Sequence, residues 1–252
     1  MTFAVAADSY DRFMGRYSRV LAPLFADFAQ VESGQHVLDV GCGPGALTTE
    51  LVRRLGAPNV VAVEPSPPFV EALRQRLPDV EVHNIAAESL PFDDDGFDRA
   101  LAQLVVHFMK DPVGGLAQMR RVVRRGGLVA ACVWDHAGGQ GPLNTFWDAA
   151  YATDPNAQGE ETLPGARQGH LTELFVAAGL ETVEETALTA RVTHETFEEW
   201  WEPFTLGVGP AGAYVASLDD DGVTRLREHL RATMPSAPFE HAAVAWAARG
   251  SA

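Results

Sequence analysis

One lysine, Lys110, stands among the 252 residues, against eighteen arginines. A phosphate-binding P-loop needs a lysine directly after a glycine, and Lys110 follows Met109, which excludes that site. Schiff-base chemistry has little scope for the same reason. Cysteine is nearly as scarce. Cys42 and Cys132 fall in glycine-turn and apolar contexts, and read as small buried residues of a reducing compartment rather than a disulfide. The first residues lack the apolar core of a secretory signal. No apolar run approaches the ~20 residues of a membrane span, so a cytoplasmic protein is expected. Basic charge is in deficit, with 19 Lys and Arg against 34 Asp and Glu and a net charge of −15. Proteins that grip phosphate backbone or an anionic membrane carry a basic face, so neither nucleic acid nor membrane is an expected partner. The eight histidines show no ligand spacing, and His194-Glu195 lacks the second histidine of a zinc-binding helix. Asp93-Asp94-Asp95-Gly96 lacks the alternation and distal glutamate of a calcium loop. No metal site is expected.

The most informative stretch is Val37-Leu38-Asp39-Val40-Gly41-Cys42-Gly43-Pro44-Gly45-Ala46-Leu47-Thr48. Its opening run is too short for a helix and has Val at two of four positions, so it reads as a strand buried on both faces. Three glycines at alternate positions follow, and a helical pattern begins at Leu47. Glycine tolerates backbone angles that side chains resist and lets a ligand lie against the main chain. The expectation is a ledge of free backbone N–H groups at the carboxyl end of a parallel strand, where open α/β sheets bind ligands. A dinucleotide fold spaces its glycines G-x-G-x-x-G, whereas this chain has Gly-x-Gly-x-Gly. A second apolar run, over 60–63, ends at Glu64, 23 residues after Gly41. Two carboxylate oxygens at a strand end can accept from both hydroxyls of a ribose. Glu64, with Pro65 beside it, is therefore a candidate ribose ligand.

Strand patterns over 37–40, 60–63, 80–85, 97–104 and 128–134 alternate with helical ones. They predict an α/β fold with a doubly wound, mostly parallel sheet and right-handed crossovers. Helices are expected over 47–55, after Ser66 as N-cap, over 116–123 with Gly126-Gly127 as its cap, and over 168–178. Alternation over 181–192 and 239–248 predicts two further strands. Between them, 197–234 reads as an insertion with a Gly-rich hinge and a helix over 222–234. Residues 8–30 have helical periodicity, which Pro23 is expected to divide. The organisation read from this is a helical cap over 1–34, a cofactor-binding core over 35–136, the rest of the core with an insertion over 137–195, a helical lid over 196–236 and a last strand over 237–252. Tyr10, Trp134, Trp147, Trp200 and Trp201 are candidates for an apolar substrate pocket, with plain packing as the alternative.

The segment from Asp39 to Gly45 resembles the first motif of the class I S-adenosylmethionine-dependent methyltransferases. The block that runs from Phe97-Asp98 through Gln103-Leu104 to His107-Phe108-Met109-Lys110-Asp111-Pro112 is similar to that family's Phe-Asp strand, apolar turn and His-x-x-x-Asp-Pro ending. Over roughly residues 35–135 the chain resembles the type 11, ubiquinone-biosynthesis-like small-molecule methyltransferases. The resemblance implies a seven-stranded, Rossmann-like sheet with an antiparallel last strand, and S-adenosyl-L-methionine as cofactor. It implies Asp39, Gly41, Gly43 and Gly45 in the cofactor loop, Ala87 and Glu88 near the adenine, and Gln103 and Leu104 beside the methionine portion. Tyr17, on an N-terminal helix, is implied near the cofactor's carboxylate. His107 is a candidate general base, against a packed, hydrogen-bonded histidine as the other reading. The implied acceptor is a small, partly hydrophobic molecule methylated on O, N or C. A NAD(P)-dependent oxidoreductase shares the glycine turn and the acid, but is disfavoured by the glycine spacing and the lack of a Tyr-x-x-x-Lys pair. A non-catalytic module binding S-adenosylmethionine or S-adenosylhomocysteine stays open beside these.

Overall fold

The structure is a computed structural model and describes residues 7–252. Each short apolar run forms a strand: β1 (Val37–Val40), β2 (Val60–Val63), β3 (Glu81–His83), β4 (Phe97–Gln103), β5 (Val123–Trp134), β6 (Glu181–His194) and β7 (Phe239–Ser251). They make one sheet in the order β3-β2-β1-β4-β5-β7-β6. β1 to β5 pair in parallel, and β7 lies antiparallel between β5 and β6. The seven-stranded, mostly parallel sheet with an antiparallel last strand is as expected.

Period-two alternation divides each central strand between two cores. Val37, Val60 and Ala62 pack on one face with the helices Arg16–Phe28 and Ala46–Leu55. Leu38, Val40, Val61 and Val63 pack on the other with Pro112–Val122 and His170–Ala177. Helices on both faces bury the middle of the sheet, so its strands need no polar side.

Three local expectations are corrected. Pro23 does not divide the N-terminal helix, which runs unbroken over Arg16–Phe28. Tyr17, Leu21, Ala22, Phe25 and Ala26 bury one of its faces, and several such side chains at about 1.5–3 kcal/mol each outweigh a proline's ~3 kcal/mol. The irregularity lies upstream, in a π-helical turn over Asp11–Gly15 that follows Ala7–Tyr10. Gly126-Gly127 is not a helix cap. The helix stops at Val122 and β5 begins at Val123, where its pairing with β4 shifts register between Phe97 and Arg99. A Cβ on Gly127 would stand 2.6 Å from the Asp98 carbonyl oxygen, so close strand contact requires glycine there. The hinge expected after Trp201 is instead a 3₁₀ turn and a helix over Gly209–Ser217, followed by a helix over Asp220–Thr233.

These helices and Asn144–Thr153 continue the first core over the carboxyl ends of the strands. Phe204 is the pivot, stacked on Phe146 at 4.5 Å and edge-on to Phe13 at 5.1 Å. Cys42 and Cys132 are buried and unpaired. Among the described residues no helix is long and apolar enough to cross a membrane, and no group of three His, Cys, Asp or Glu could hold a metal.

Gly41 and Gly43 separate two reasons for glycine in the loop. Both have positive φ, at 69° and 54°. A Cβ on Gly41 would also meet Val105 at 2.5 Å, whereas one on Gly43 meets nothing within 4 Å. Gly43→Ala should cost only the left-handed strain, about 1–2 kcal/mol. Gly41→Ala should cost more, about 2–4 kcal/mol, because overpacking adds to that strain. Urea midpoints at constant m measure both.

Candidate active site

A cavity of about 320 Å³ opens at the carboxyl ends of the central strands. That lies within the ~300–1,000 Å³ of small-molecule sites. Asp39, Gly41, Gly43, Glu64, Pro65, Ala87, Glu88, Gln103 and Leu104 all line it, as does Tyr10. Gly45 does not. A Cβ there would collide with Leu73, and its φ is 100°, so this glycine lets the loop pack against the helix Pro67–Arg76.

The ledge of free N–H groups is also corrected. Gly41 and Cys42 donate to the Val63 carbonyl at 2.8 and 3.1 Å, and Gly45 donates to Cys42 at 3.0 Å. Gly43 donates to Glu64 Oε2 at 3.0 Å. The backbone is bare at Gly43, but its amide is engaged. Glu64 Oε1 accepts from Ser66 N at 2.8 Å. Burial raises the Glu64 carboxyl's pKa, and these two N–H groups work against that rise. Each oxygen keeps a second lone pair for a ligand.

Two buried oxygens on the cavity wall have no partner among the described residues, Asp39 Oδ1 and Gln103 Oε1. Asp39 Oδ2 accepts from Thr48 Oγ1 at 2.6 Å, and burial pushes its carboxyl up to about 7. Gln103 Nε2 donates to the Ser18 carbonyl at 3.1 Å, which turns the amide's oxygen loose beside the cavity. Leu104 holds φ at 62°, a conformation costly for a branched side chain and one that clusters at functional sites. Glu88 Oε1 accepts from Lys110 N at 2.8 Å and fixes the far wall.

His107 and Trp134 line a second void of about 30 Å³, which shares Tyr10, Leu104 and Phe108 with the first. Tyr17 lines neither. Arg16 Nη1 lies 2.9 Å from His194 Nδ1 and cannot accept, so His194 donates from Nε2 to Tyr17 Oη at 3.0 Å. Tyr17 Oη in turn meets His241 Nδ1 at 2.8 Å. The hydroxyl is consumed in a structural chain that ties the N-terminal helix to β6 and β7. Trp200 packs beside that chain. Trp147 and Trp201 are core residues: Trp147 Nε1 donates to Glu160 Oε2 at 3.1 Å, and Trp201 stacks on Phe204. Sequence reading missed Ser18, Phe69, His136 and Glu160 as lining residues. Ser18 and Phe69 sit inside helices, where nothing local marks a cavity wall; His136 lies just past the carboxyl end of β5, and Glu160 carries no local signal.

Residues 38–131 match the family model of a methyltransferase domain. An uncharacterised methyltransferase of Mycobacterium tuberculosis is 34% identical over 135 residues, 54% of this chain and 52% of that protein. The chloroplastic 2-methyl-6-phytyl-1,4-hydroquinone methyltransferase 2 of Oryza sativa is 35% identical over 47% of this chain and 32% of its own length. The chain thus spans about half the length of the first of these relatives, and less of the second. Among solved structures, the geranyl diphosphate C-methyltransferase of Streptomyces coelicolor, crystallised with Mg²⁺, geranyl diphosphate and S-adenosyl-L-homocysteine, superposes with a TM-score of 0.56. It is 15% identical, and the match covers 94% of this chain and 80% of that one. The shared fold is what that similarity shows.

Two outcomes follow from the site's electrostatics. Tyr17→Phe strands His194 Nε2 and His241 Nδ1, and should lower stability by about 1–3 kcal/mol in denaturant unfolding without altering ligand binding in the 320 Å³ cavity. Burial pushes the Asp39 carboxyl in the folded chain up to about 7, against 3.8 for an ordinary aspartate. As pH rises between these values the unfolded chain loses that proton first, so this group's stabilisation is full below the lower value and lost through the upper one. Asp39→Asn removes the slope. Its stability relative to the parent should rise between pH 5 and 8, measured by parallel urea titrations without ligand.

Proposed function

We propose, from the premise that residues 38–131 form a class I methyltransferase domain, that this chain transfers a methyl group from S-adenosyl-L-methionine to a small, partly hydrophobic acceptor. The observation that carries the reading is the Glu64 carboxylate facing the same cavity as the bare backbone of Gly43 and the unpartnered Gln103 Oε1. A ribose supplies two hydroxyl donors for Glu64, and an amino group supplies donors for Gln103 Oε1. The amides of Gly41, Cys42, Gly43 and Gly45 are engaged, so in this reading the loop meets its ligand through the Glu64 carboxylate and not through these four N–H groups. Asp39 and Ala87 with Glu88 complete the donor site in this reading.

When bound, the donor supplies a methyl carbon already activated by its sulfonium. The chain's part is to place the acceptor's nucleophile in line with that carbon and to exclude water, and positioning of this kind is worth ~7–11 kcal/mol. Leu104 faces both voids and divides them. His107, beyond Leu104, lies on the acceptor side. In this reading the described part of the N-terminal cap, residues 7–34, and the segment 196–236 act as cap and lid over the cofactor-binding core, and residues 1–6 of the cap lie outside the described residues. A net charge of −15 argues against nucleic acid or an anionic membrane as partner. Two unpaired buried thiols fit a cytoplasmic setting.

Calorimetry with S-adenosylmethionine and S-adenosylhomocysteine tests the donor site. Glu64→Ala should weaken binding by about 1–3 kcal/mol, the scale of hydrogen bonds to a charged group. Wild-type affinity in that variant, or no heat from the parent protein, would falsify the assignment.

A further inference from the structure

The smaller void holds polar groups for which donor binding has no use. His107, His136, Glu160 and Trp134 wall it, and all four are buried, at 6, 4, 4 and 2% exposure. His107 Nδ1, His136 Nδ1 and Trp134 Nε1 have no partner among the described residues. These three atoms are themselves fully enclosed, so what the void offers a polar guest is the rest of the two imidazole rings and the Glu160 carboxyl that line it. The two imidazole rings stand 6.2 Å apart. Glu160 is held by Trp147 Nε1 at 3.1 Å through Oε2.

The charges narrow what fits. Burial drives both histidines toward the neutral form, His136 to about 4 and His107 well below the ordinary histidine value. Burial pushes Glu160 up to about 7, poised to exchange a proton near neutrality. No lysine or arginine lines the void. A phosphate or carboxylate would meet Glu160 without a counter-cation, and desolvating that anion would go uncompensated. A neutral hydroxyl can both donate and accept, which suits two neutral imidazoles, each with one donor and one acceptor nitrogen. Phe13, Phe108 and Leu143 make the remaining wall apolar and aromatic. The shared border at Tyr10, Leu104 and Phe108 opens the void onto the cavity assigned above to the donor.

We propose that this void receives the hydroxyl of a phenol or enol, hydrogen-bonded by His107 and His136, and that Glu160 takes its proton during methyl transfer. The inference rests on the donor reading given above. As the acceptor oxygen bonds to the methyl carbon, the carbon–sulfur bond breaks and the hydroxyl proton passes to the Glu160 carboxylate. The products are a methyl ether, a neutral thioether and a neutral carboxylic acid, so the sulfonium and carboxylate charges vanish together. The acid then returns its proton to solvent.

The test uses the full chain and 2-naphthol, whose fluorescence distinguishes naphthol from naphtholate. With S-adenosylhomocysteine saturating, the parent protein should bind 2-naphthol, and 2-naphthyl phosphate at least about tenfold more weakly. With S-adenosylmethionine it should form 2-methoxynaphthalene. Glu160→Gln should lower kcat for that product by about 10²–10⁴-fold, the range of general-base catalysis, while S-adenosylhomocysteine affinity stays unchanged. Glu160→Asp should recover part of the rate. Should the Glu160 variants fail to bind S-adenosylhomocysteine through misfolding, His107→Gln takes their place, with 2-naphthol affinity expected to fall about tenfold. The proposal is overturned if 2-naphthyl phosphate binds as tightly as 2-naphthol. It is overturned equally if Glu160→Gln turns over at the parent rate, or if 2-naphthol fails to bind a parent protein that does bind S-adenosylhomocysteine. A parent protein that binds no S-adenosylhomocysteine overturns the donor reading instead.

Discussion

The Glu64 carboxylate accepts the Gly43 N–H through one oxygen and the Ser66 N–H through the other, at 3.0 and 2.8 Å. It thereby ties the loop after β1 to the start of the helix after β2, at a depth where a carboxyl resists ionisation. The glycine loop takes its shape from this tie and from the Val63 carbonyl, which receives both Gly41 and Cys42. A loop with free amides would serve a phosphate. One whose amides are taken presents a carboxylate's remaining lone pairs instead, and those suit hydroxyl groups. The same residue therefore shapes the floor of the cavity and selects the kind of polar group that can rest on it.

Leu104 is the second constraint. Its left-handed backbone turns the chain at the end of β4, while its N–H is still held by the Cys132 carbonyl at 2.9 Å. A β-region residue there would carry the strand onward. The turn instead drops Val105 against Gly41, where any side chain would collide, and sends His107 into the smaller void. Strain in one residue and the absence of a side chain in another are thus coupled across two neighbouring strands. The border between the two voids is drawn by backbone geometry more than by side-chain bulk.

How much of this was legible in the sequence depends on how local the cause is. The strands were legible because period-two burial and short apolar runs are local properties, and the sheet order then follows from parallel connectivity. Gly41, Gly43 and Glu64 were legible from the glycine spacing and the acid at a strand end, whereas Gln103 and Leu104 were named only through the resemblance of the block 97–112. Gly45 was misread because its partner, Leu73, lies on another helix. Tyr17 was misread because its hydroxyl is claimed by His194 and His241, more than 170 positions away in sequence. Gly126-Gly127 looked like a cap because a helix end and a strand bulge ask for the same residue. His136, just past the end of β5, was legible as a residue on the ligand side of the sheet but not as a neighbour of His107. Glu160 gave no signal, since it sits in no repeating pattern and only the fold of 137–169 brings it to the same void.

The asymmetry between the two voids has a physical origin. The larger cavity is walled by strand ends, and strand ends cannot move without losing the sheet. The walls of the smaller void come from the N-terminal segment, the turn after β4, the end of β5 and the loops after it, which are free to differ. The charges differ as well. Asp39, Glu64 and Glu88 face the larger cavity with Lys110 at its edge, a setting that suits a cation. A cation bound there would favour the ionised form of Asp39, whose proton is held by burial and by the neighbouring Glu64 charge. An acidic floor of this kind holds a positively charged ligand more tightly than an uncharged one of the same shape.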